Sequence, residues 1–481
     1  MKKGDFIDLE VTKLSSEGRG IAKVNREIIL PDNNDSSAQN YVVFIRGAYP
    51  GERVKAQLRK IKRTYAEAVT IDVLSPSKDR IEPRCKHFGT CGGCKQQNLK
   101  YETQIKYKRE LVRETVKHIS GLTTYELGPI IPSEKVFYYR NKMEYSFSNL
   151  RWLTREELSK DKILDRNFAL GLHIPKIYDK VLDIDECFLQ SETSNKILNF
   201  TRNYFKEKKC PIYSTKTHQG YLRHLVIRHS DKSKDLMVNL VTSKEDEILM
   251  GDYSSALVKN VPEITTVVNN INTKKASIAL GEYEKVFYGD GFIYDTIGKF
   301  KFRISANSFF QTNTIQAENL YNMALQFADF SGNEIVYDLY SGAGTIALFI
   351  SGGVKKVFGF ESVDSAVSDA NENTSINNVA NVSFVKADLY KSILPVIEDN
   401  KIPKPDVIIA DPPRSGMHKN TVYDVINLNP YKIVYVSCNP ATQARDLKLL
   451  VNAGYTLAKI KPVDMFPHTY HVENVALLIK K

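Results

Sequence analysis

Apolar and polar positions alternate in short runs at the start of the chain. Residues 6–12 show this alternation, and 28–31, 41–45, 53–61 and 66–73 form further short apolar-rich runs. A period of two is the mark of half-buried strands. Gly18, Gly20, Gly47 and Gly51 fall between the runs as turn residues. Five short strands with glycine turns predict a small barrel of the OB type over residues 1–75. Residues 101–118 are strongly charged, yet Ile105, Leu111, Val112 and Val116 recur at helical spacing and form the expected buried stripe. From about 125 to 290 strand-like runs dominate, at 142–147, 168–173, 222–228, 236–241, 265–270 and 285–288. They predict a mixed, mostly antiparallel central domain spanning 76–295, with the polar stretch 151–165 as an inserted loop. The texture changes after about residue 300. Residues 314–327 read as a helix, and buried runs at 334–339, 356–360, 382–386, 407–410 and 432–436 have helical segments between several of them. This alternation predicts a parallel sheet covered on both faces, an α/β unit over 296–481.

Composition adds a partner to this picture. A chain of 481 residues is too long for one compact core, so two or three domains are expected. Apolar residues make up 42% and charged residues 26%, the balance of a globular protein. The net charge is +11, from 67 Lys plus Arg against 56 Asp plus Glu, which suits a polyanionic partner. Arg53, Lys55, Arg59, Lys60, Lys62 and Arg63 concentrate that charge on one barrel segment. They form either a solvated strand face or a phosphate track. No run of about 18 apolar residues could span a membrane. The opening Met1-Lys2-Lys3-Gly4-Asp5 lacks the apolar core of a signal peptide. A cytoplasmic protein is therefore expected, in which clustered cysteines are metal ligands or nucleophiles before they are disulfides.

The α/β unit carries a candidate cofactor site. Its first strand ends in Asp338-Leu339-Tyr340-Ser341-Gly342-Ala343-Gly344-Thr345. A glycine-rich turn there lets a ligand approach the backbone closely. The second strand ends in Glu361, placed to accept hydrogen bonds from both ribose hydroxyls, and the third is followed by Asp388, placed to meet an adenine edge. Ligands of open α/β sheets bind at the carboxyl ends of the strands, so all three features share one rim. The turn lacks the full dinucleotide fingerprint, which favours S-adenosylmethionine over NAD and a Rossmann-like methyltransferase fold.

The same rim carries candidate chemistry. The fourth strand runs into Asp411-Pro412-Pro413-Arg414, a signature common in nucleic-acid methyltransferases, and the fifth delivers Ser437-Cys438-Asn439-Pro440. A cysteine at a strand end just before a helix is exposed to the ligand, and the helix N-terminus can lower its pKa. Methylation of carbon 5 of uracil needs such a group. That carbon is a poor nucleophile until a thiolate adds to carbon 6, and a base must later remove the proton on carbon 5. The tail His468-Thr469-Tyr470-His471-Val472-Glu473 supplies His and Glu candidates, and Glu473 is the better base because it interrupts an apolar strand. Separately, Cys85, Cys91 and Cys94 with the distant Cys187 could supply four thiolates to zinc or to an iron–sulfur cluster, and Cys210 has no assigned role.

Together, Phe309-Phe310-Gln311-Thr312-Asn313, the Asp338 turn, Asp411-Pro412-Pro413-Arg414-Ser415-Gly416, Ser437-Cys438-Asn439-Pro440-Ala441-Thr442 and His471-Val472-Glu473 resemble the ordered motifs of the RNA uracil-5-methyltransferase family. The resemblance implies Cys438 as nucleophile, Glu473 as proton acceptor, and cofactor contacts from Gln311, Tyr340, Thr345, Glu361, Asp388 and Asp411. Ser341, where many relatives carry Cys, departs from the pattern without touching a proposed role. RNA cytosine-5 methyltransferases place a second Cys in the fourth motif, and Asp411-Pro412-Pro413 has none. The N-terminal barrel is similar to the TRAM domain of cluster-bearing members. Their spacing implies Cys85, Cys91, Cys94 and Cys187 as ligands of a 4Fe–4S cluster with a structural or RNA-binding role, zinc being the alternative. Tyr139-Arg140-Asn141-Lys142, Leu170-Gly171-Leu172-His173 and Leu222-Arg223-His224-Leu225-Val226-Ile227-Arg228 resemble family segments that surround the RNA. The resemblance implies a monomeric enzyme acting on structured RNA. Barrel plus cluster favours 23S ribosomal RNA over the T-loop of transfer RNA. A non-catalytic iron–sulfur RNA-binding protein is the reading from a different class.

Overall fold

The computed structural model describes residues 1–15, 17–30, 40–159, 165–175, 177–276 and 278–481. The N-terminal sheet has six strands, in the order Phe6–Glu10, Arg53–Ile61, Tyr65–Ser75, Asn40–Arg46, Gly20–Asn25 and Lys13–Leu14. Thr12 N donates to Ile21 O at 2.8 Å, which brings the first strand back to the far side of the sheet. The alternating residues Leu9, Val43, Ile45, Val54, Ala56 and Leu58 fill the interior. The expected strand at 28–31 is instead part of a single helical turn, Arg26–Ile29, capped by the Asn25 side chain, which accepts from Glu27 N. Residue 31 lies outside the described residues. The strand Gly20–Asn25, absent from the expectation, takes its place in the sheet.

The central sheet has eight strands, in the order Tyr283–Tyr288, Thr266–Ile271, Leu236–Thr242, Leu222–His229, Lys142–Ser148, Ala169–Ile174, Ile177–Asp183 and Arg151–Trp152. Two neighbouring pairs are parallel and the rest antiparallel, the mostly antiparallel sheet expected. Two helices, Glu192–Glu207 and Glu247–Asn260, were not foreseen. They bury Ile197, Leu198 and Phe205, and Met250, Tyr253 and Leu257, in one core with the sheet. Within the stretch expected to be a loop, Arg151–Trp152 pairs with Ile177–Asp183 and Arg155–Leu158 forms a helical turn, while residues 160–164 lie outside the described residues.

The C-terminal sheet runs Val382–Lys386, Lys356–Glu361, Ile335–Leu339, Val407–Ala410 and Lys432–Ser437, all parallel as expected. It then departs from the expectation. Glu473–Lys480 adds antiparallel beside Lys432–Ser437, Tyr455–Val463 follows antiparallel, and Glu126–Leu127 closes the edge. The chain after the last crossover helix thus returns as a hairpin, which sets Glu473 beside the end of the Cys438 strand. Helix Tyr101–Ser120 packs on this unit, with Val112 and Val116 in its core. The buried face of that helix is Gln104, Lys108, Val112, Val116 and Ser120, while Ile105 and Leu111 of the expected stripe are half-buried. Gln104 and Lys108 can be buried because residues 464–468 supply their partners. No helix among the described residues is long and apolar enough to cross a membrane.

Candidate active site

Of the six residues expected to contact the cofactor, Tyr340, Thr345, Glu361, Asp388 and Asp411 stand at or just beyond the carboxyl ends of the parallel strands, whereas Gln311 lies in the segment before helix Thr314–Ala328. Tyr340 follows strand Ile335–Leu339 in the left-handed region at φ 66, its N–H donating to Phe360 O at 3.0 Å and its hydroxyl to Thr421 Oγ1 at 3.3 Å. Gly344 (φ 80) caps helix Thr345–Ile350, and a Cβ there would come within 2.5 Å of the Phe384 ring, so only glycine fits. Thr345 Oγ1 meets Tyr321 OH at 3.0 Å. Glu361 is locked by backbone donors: Oε2 accepts from Gly342 N at 3.0 Å, and Oε1 from Ser362 N and Val363 N at 2.7 and 2.9 Å. Asp388 is exposed and accepts from Tyr390 N at 3.0 Å. Asp411 N donates to Leu339 O at 3.3 Å, which fixes the start of the Asp-Pro-Pro turn against the glycine turn. The Gln311 carbonyl accepts from Asn141 Nδ2 at 2.8 Å, and two residues on Asn313 caps helix Thr314–Ala328.

This rim fits an adenosyl cofactor. A Cβ at Gly342 would meet nothing within 4 Å, so open space borders the Glu361 carboxylate. Asp338 Oδ1 and Ser341 Oγ are buried without a hydrogen-bond partner among the described residues. Buried polar atoms are normally paired, so these two await a ligand or water. Burial, reinforced by Asp411 and Glu361, raises the Asp338 carboxyl well above its ordinary value.

Cys438 and Glu473 are brought together by strand register. Ser437 pairs with Asn474 at the end of the antiparallel ladder, so Cys438 and Glu473 stand one step beyond it on neighbouring chain segments, near enough for the Glu473 charge to act on the thiol. Asn439 caps helix Pro440–Asn452, its side chain accepting from Ala441 N at 3.1 Å. The helix N-terminus was expected to lower the Cys438 pKa. Instead burial, then the Glu473 and Asp411 carboxylates, push the thiol up to about 12, against the opposing charge of Arg414. Glu473 is 5% exposed, and burial, then Asp411, push it up to about 8, again opposed by Arg414. Burial alone pushes Asp411 up to about 7. The cation of this group, Arg414, was not singled out in the sequence. Its Nη2 donates to His471 Nδ1 at 3.2 Å, and its carbonyl accepts from Asn439 Nδ2 at 2.9 Å. Burial, then Arg414, push His471 down to about 4, so it stays neutral and can accept.

The four cysteines singled out in the sequence lie apart from this rim. Cys85, Cys91, Cys94 and Cys187 line one cavity of about 580 Å³, with apolar walls that include Leu172, Ile174 and Phe188. Gly93 N donates to Cys91 Sγ at 3.3 Å and Gln97 Nε2 to Cys94 Sγ at 3.2 Å. Burial raises all four thiols, Cys91 to about 11 and Cys94 to about 12; neighbouring cysteines add to the shift of Cys91, Cys94 and Cys187, and Glu186 and Asp185 to that of Cys85. Among the described residues no group of three or more His, Cys, Asp or Glu stands ready-made to hold a metal ion. The six basic barrel residues are all exposed. By contrast, Arg223, His224 and Arg228 are buried. Arg228 Nη2 donates to Ala306 O and Ser308 O at 3.3 and 2.5 Å, so it supports the segment leading into Phe309 from below.

The profile of the tRNA (uracil-5-)-methyltransferase family matches residues 276–481, and that of the TRAM domain matches residues 2–71. The chain is 41% identical over 480 residues to an uncharacterized RNA methyltransferase of Chlorobaculum tepidum, covering 99% of this chain and 96% of that protein. It is 40% identical over 467 residues to one of Bacteroides thetaiotaomicron, covering 97% and 99%. Among solved structures it is similar to the Pyrococcus abyssi tRNA (uracil-54, C5)-methyltransferase in complex with S-adenosyl-L-homocysteine, with a TM-score of 0.73 and 28% identity over 98% of this chain and 100% of that one. With a TRAM domain at its N-terminus and an S-adenosylmethionine-dependent methyltransferase fold at its C-terminus, the chain belongs to the RNA (uracil-5-)-methyltransferase family.

Proposed function

We propose that this protein methylates carbon 5 of one uridine in 23S ribosomal RNA, with Cys438 as nucleophile and Glu473 as base. The observation that carries the reading is that Cys438 and Glu473 follow directly on the last pair of one strand ladder and act on each other electrostatically, on the rim that Glu361 and Asp411 share. Gln311, Tyr340, Thr345, Glu361, Asp388 and Asp411 would hold S-adenosylmethionine. Bound there, the cofactor supplies an electrophilic methyl group on a cationic sulfur. The Cys438 thiolate adds to carbon 6 of the uracil, and the electron pair of the ring double bond moves toward carbon 5. Carbon 5 would then take the methyl group as the bond from that methyl to the cofactor sulfur breaks, its electron pair staying on sulfur to leave neutral S-adenosylhomocysteine. The Glu473 carboxylate then accepts the remaining proton on carbon 5, the double bond re-forms, and the carbon–sulfur bond breaks to return the thiolate. A base with a pKa near 8 is matched to that task near neutral pH. Arg414 favours the ionised form of both groups.

Cys85, Cys91, Cys94 and Cys187 would hold a 4Fe–4S cluster. Their shared apolar-walled cavity and the two N–H···S contacts suit thiolate ligands, which accept such bonds. The methyl transfer moves no electron, so the cluster would shape the protein or its RNA surface. Cluster and TRAM barrel together favour ribosomal RNA. Transfer RNA is the second reading, and the likeness to the Pyrococcus abyssi transfer-RNA enzyme supports it. Purified protein given methyl-labelled S-adenosylmethionine and each RNA separately decides. Label in 5-methyluridine of ribosomal RNA is expected, and label in the T-loop alone would overturn the choice of substrate.

A further inference from the structure

Residues 464–472 join strand Tyr455–Val463 to Glu473, and other parts of the chain hold this segment from several sides. Asp464 is fully buried, with Oδ1 accepting from Lys108 Nζ at 2.6 Å and Oδ2 from Tyr101 OH at 2.8 Å. Lys108 Nζ also donates to Phe466 O at 2.9 Å, and Asn313 Nδ2 donates to Met465 O at 3.0 Å. His468 sits in the left-handed region at φ 65, which a non-glycine residue adopts only when its surroundings impose it. Its carbonyl accepts from Lys95 N at 2.8 Å and Gln96 N at 3.0 Å, directly after Cys94.

Gln104 connects these pieces. It is fully buried, and its Oε1 accepts from His468 N at 2.9 Å. Its Nε2 donates to Leu99 O at 2.8 Å and Gln96 O at 3.0 Å, and faces His468 Nδ1 at 3.2 Å. Burial, then Lys108, hold His468 neutral, so Nδ1 can accept. One amide thus fastens the cysteine-bearing loop to the bend that leads, five residues later, into Glu473.

We propose that Gln104 is a positioning residue for proton removal: by clamping the loop of residues 85–99 to His468 it holds Glu473 in place beside Cys438. The inference rests on the reading of Glu473 as the base. Among the described residues the Gln104 side chain hydrogen-bonds only to Gln96, Leu99 and His468, and not to the nucleophile or the cofactor rim, so its loss should spare thiol addition and methyl transfer and slow the later step. The test is Gln104→Leu, of similar volume, in the full-length holoenzyme with RNA and S-adenosylmethionine. Expected is a methylated, covalent RNA–protein adduct that accumulates on a denaturing gel, with kcat reduced about 10- to 100-fold and KM for RNA little changed, as for a catalytic group misplaced by a fraction of an ångström. A soluble variant that still binds S-adenosylhomocysteine and loses activity without adduct, or that turns over like the parent, overturns the proposal. Should Gln104→Leu fail to fold, Lys108→Met with Asp464→Asn removes the neighbouring anchor without leaving an unpaired charge, and the same adduct is expected. Glu473→Gln run in parallel separates the two readings. Adduct in Glu473→Gln but not in Gln104→Leu rejects only the positioning role, whereas adduct in neither rejects Glu473 as the base and the proposal with it.

Discussion

Glu473 and Cys438 stand one residue beyond Asn474 and Ser437, the pair that ends their ladder, and the charge of Glu473 opposes ionisation of the Cys438 thiol. One pair of adjacent strands therefore supplies both groups the proposed chemistry needs, a nucleophile and a base. Burial, then neighbouring carboxylates, favour the protonated form of both, with the thiol pushed up to about 12 and the carboxyl to about 8. Arg414 is the cation on the rim that works against both shifts.

The pH dependence follows from that arrangement. Glu473 must be ionised to accept the carbon 5 proton, so where proton removal limits turnover the rate should rise with pH through about 8. Arg414→Gln removes the charge that lowers the Glu473 pKa. The acid limb of the pH–rate profile should then move to higher pH, and a shift of about one unit lowers the rate near pH 7 about tenfold. An unmoved limb in the variant would show that Arg414 does not act on this base.

Glu361 should govern cofactor affinity. Its two oxygens are fixed by Gly342, Ser362 and Val363 N–H groups beside open space. Hydrogen bonds to a charged group contribute about 1.5–3 kcal/mol. Glu361→Ala should therefore weaken S-adenosylhomocysteine binding about 10- to 100-fold in calorimetry, with RNA affinity little altered. Unchanged cofactor binding would move the ribose site elsewhere.

The Lys108–Asp464 ion pair is fully buried, at 2.6 Å. Lys108→Met strands a buried carboxylate, and breaking one side of such a pair costs about 3–5 kcal/mol. Urea denaturation should show that loss, and adding Asp464→Asn should restore most of it. Equal stability of the single and double variants would mean that Asp464 finds another partner.

Iron and acid-labile sulfide analysis tests the cysteine cavity. Protein purified without air should carry the two in equal amounts, and Cys187→Ser should lose both. Stoichiometric zinc without iron would replace the cluster by a zinc site.

Much of this was legible along the chain. Runs such as Val407-Ile408-Ile409-Ala410 and Ile433-Val434-Tyr435-Val436 are apolar throughout because both faces of the sheet are covered, and their order set the cofactor rim. The glycine turn and Cys438 were readable for the same reason: local backbone demands leave local traces. Strand direction leaves none, so the antiparallel return of Glu473–Lys480 could not be read from its apolar run. Helices Glu192–Glu207 and Glu247–Asn260 carry Asn, Ser, Thr and Tyr, weak helix formers, and owe their form to packing on the central sheet. Gln104 and Lys108 do sit eight and four residues before Val112, on one helical face. The partners that make their burial tolerable lie some 360 residues away, beyond any local signal. At Cys438 the helix that follows suggests a lowered pKa, and burial, then the Glu473 and Asp411 carboxylates, reverse that.

The most direct test of the account is the covalent state of Glu473→Gln incubated with RNA and S-adenosylmethionine. An RNA–protein adduct stable to denaturation, already methylated at carbon 5 and mapped by peptide mass spectrometry to Cys438, is the predicted result. No adduct with normal formation of 5-methyluridine, or an adduct at any residue other than Cys438, would contradict it.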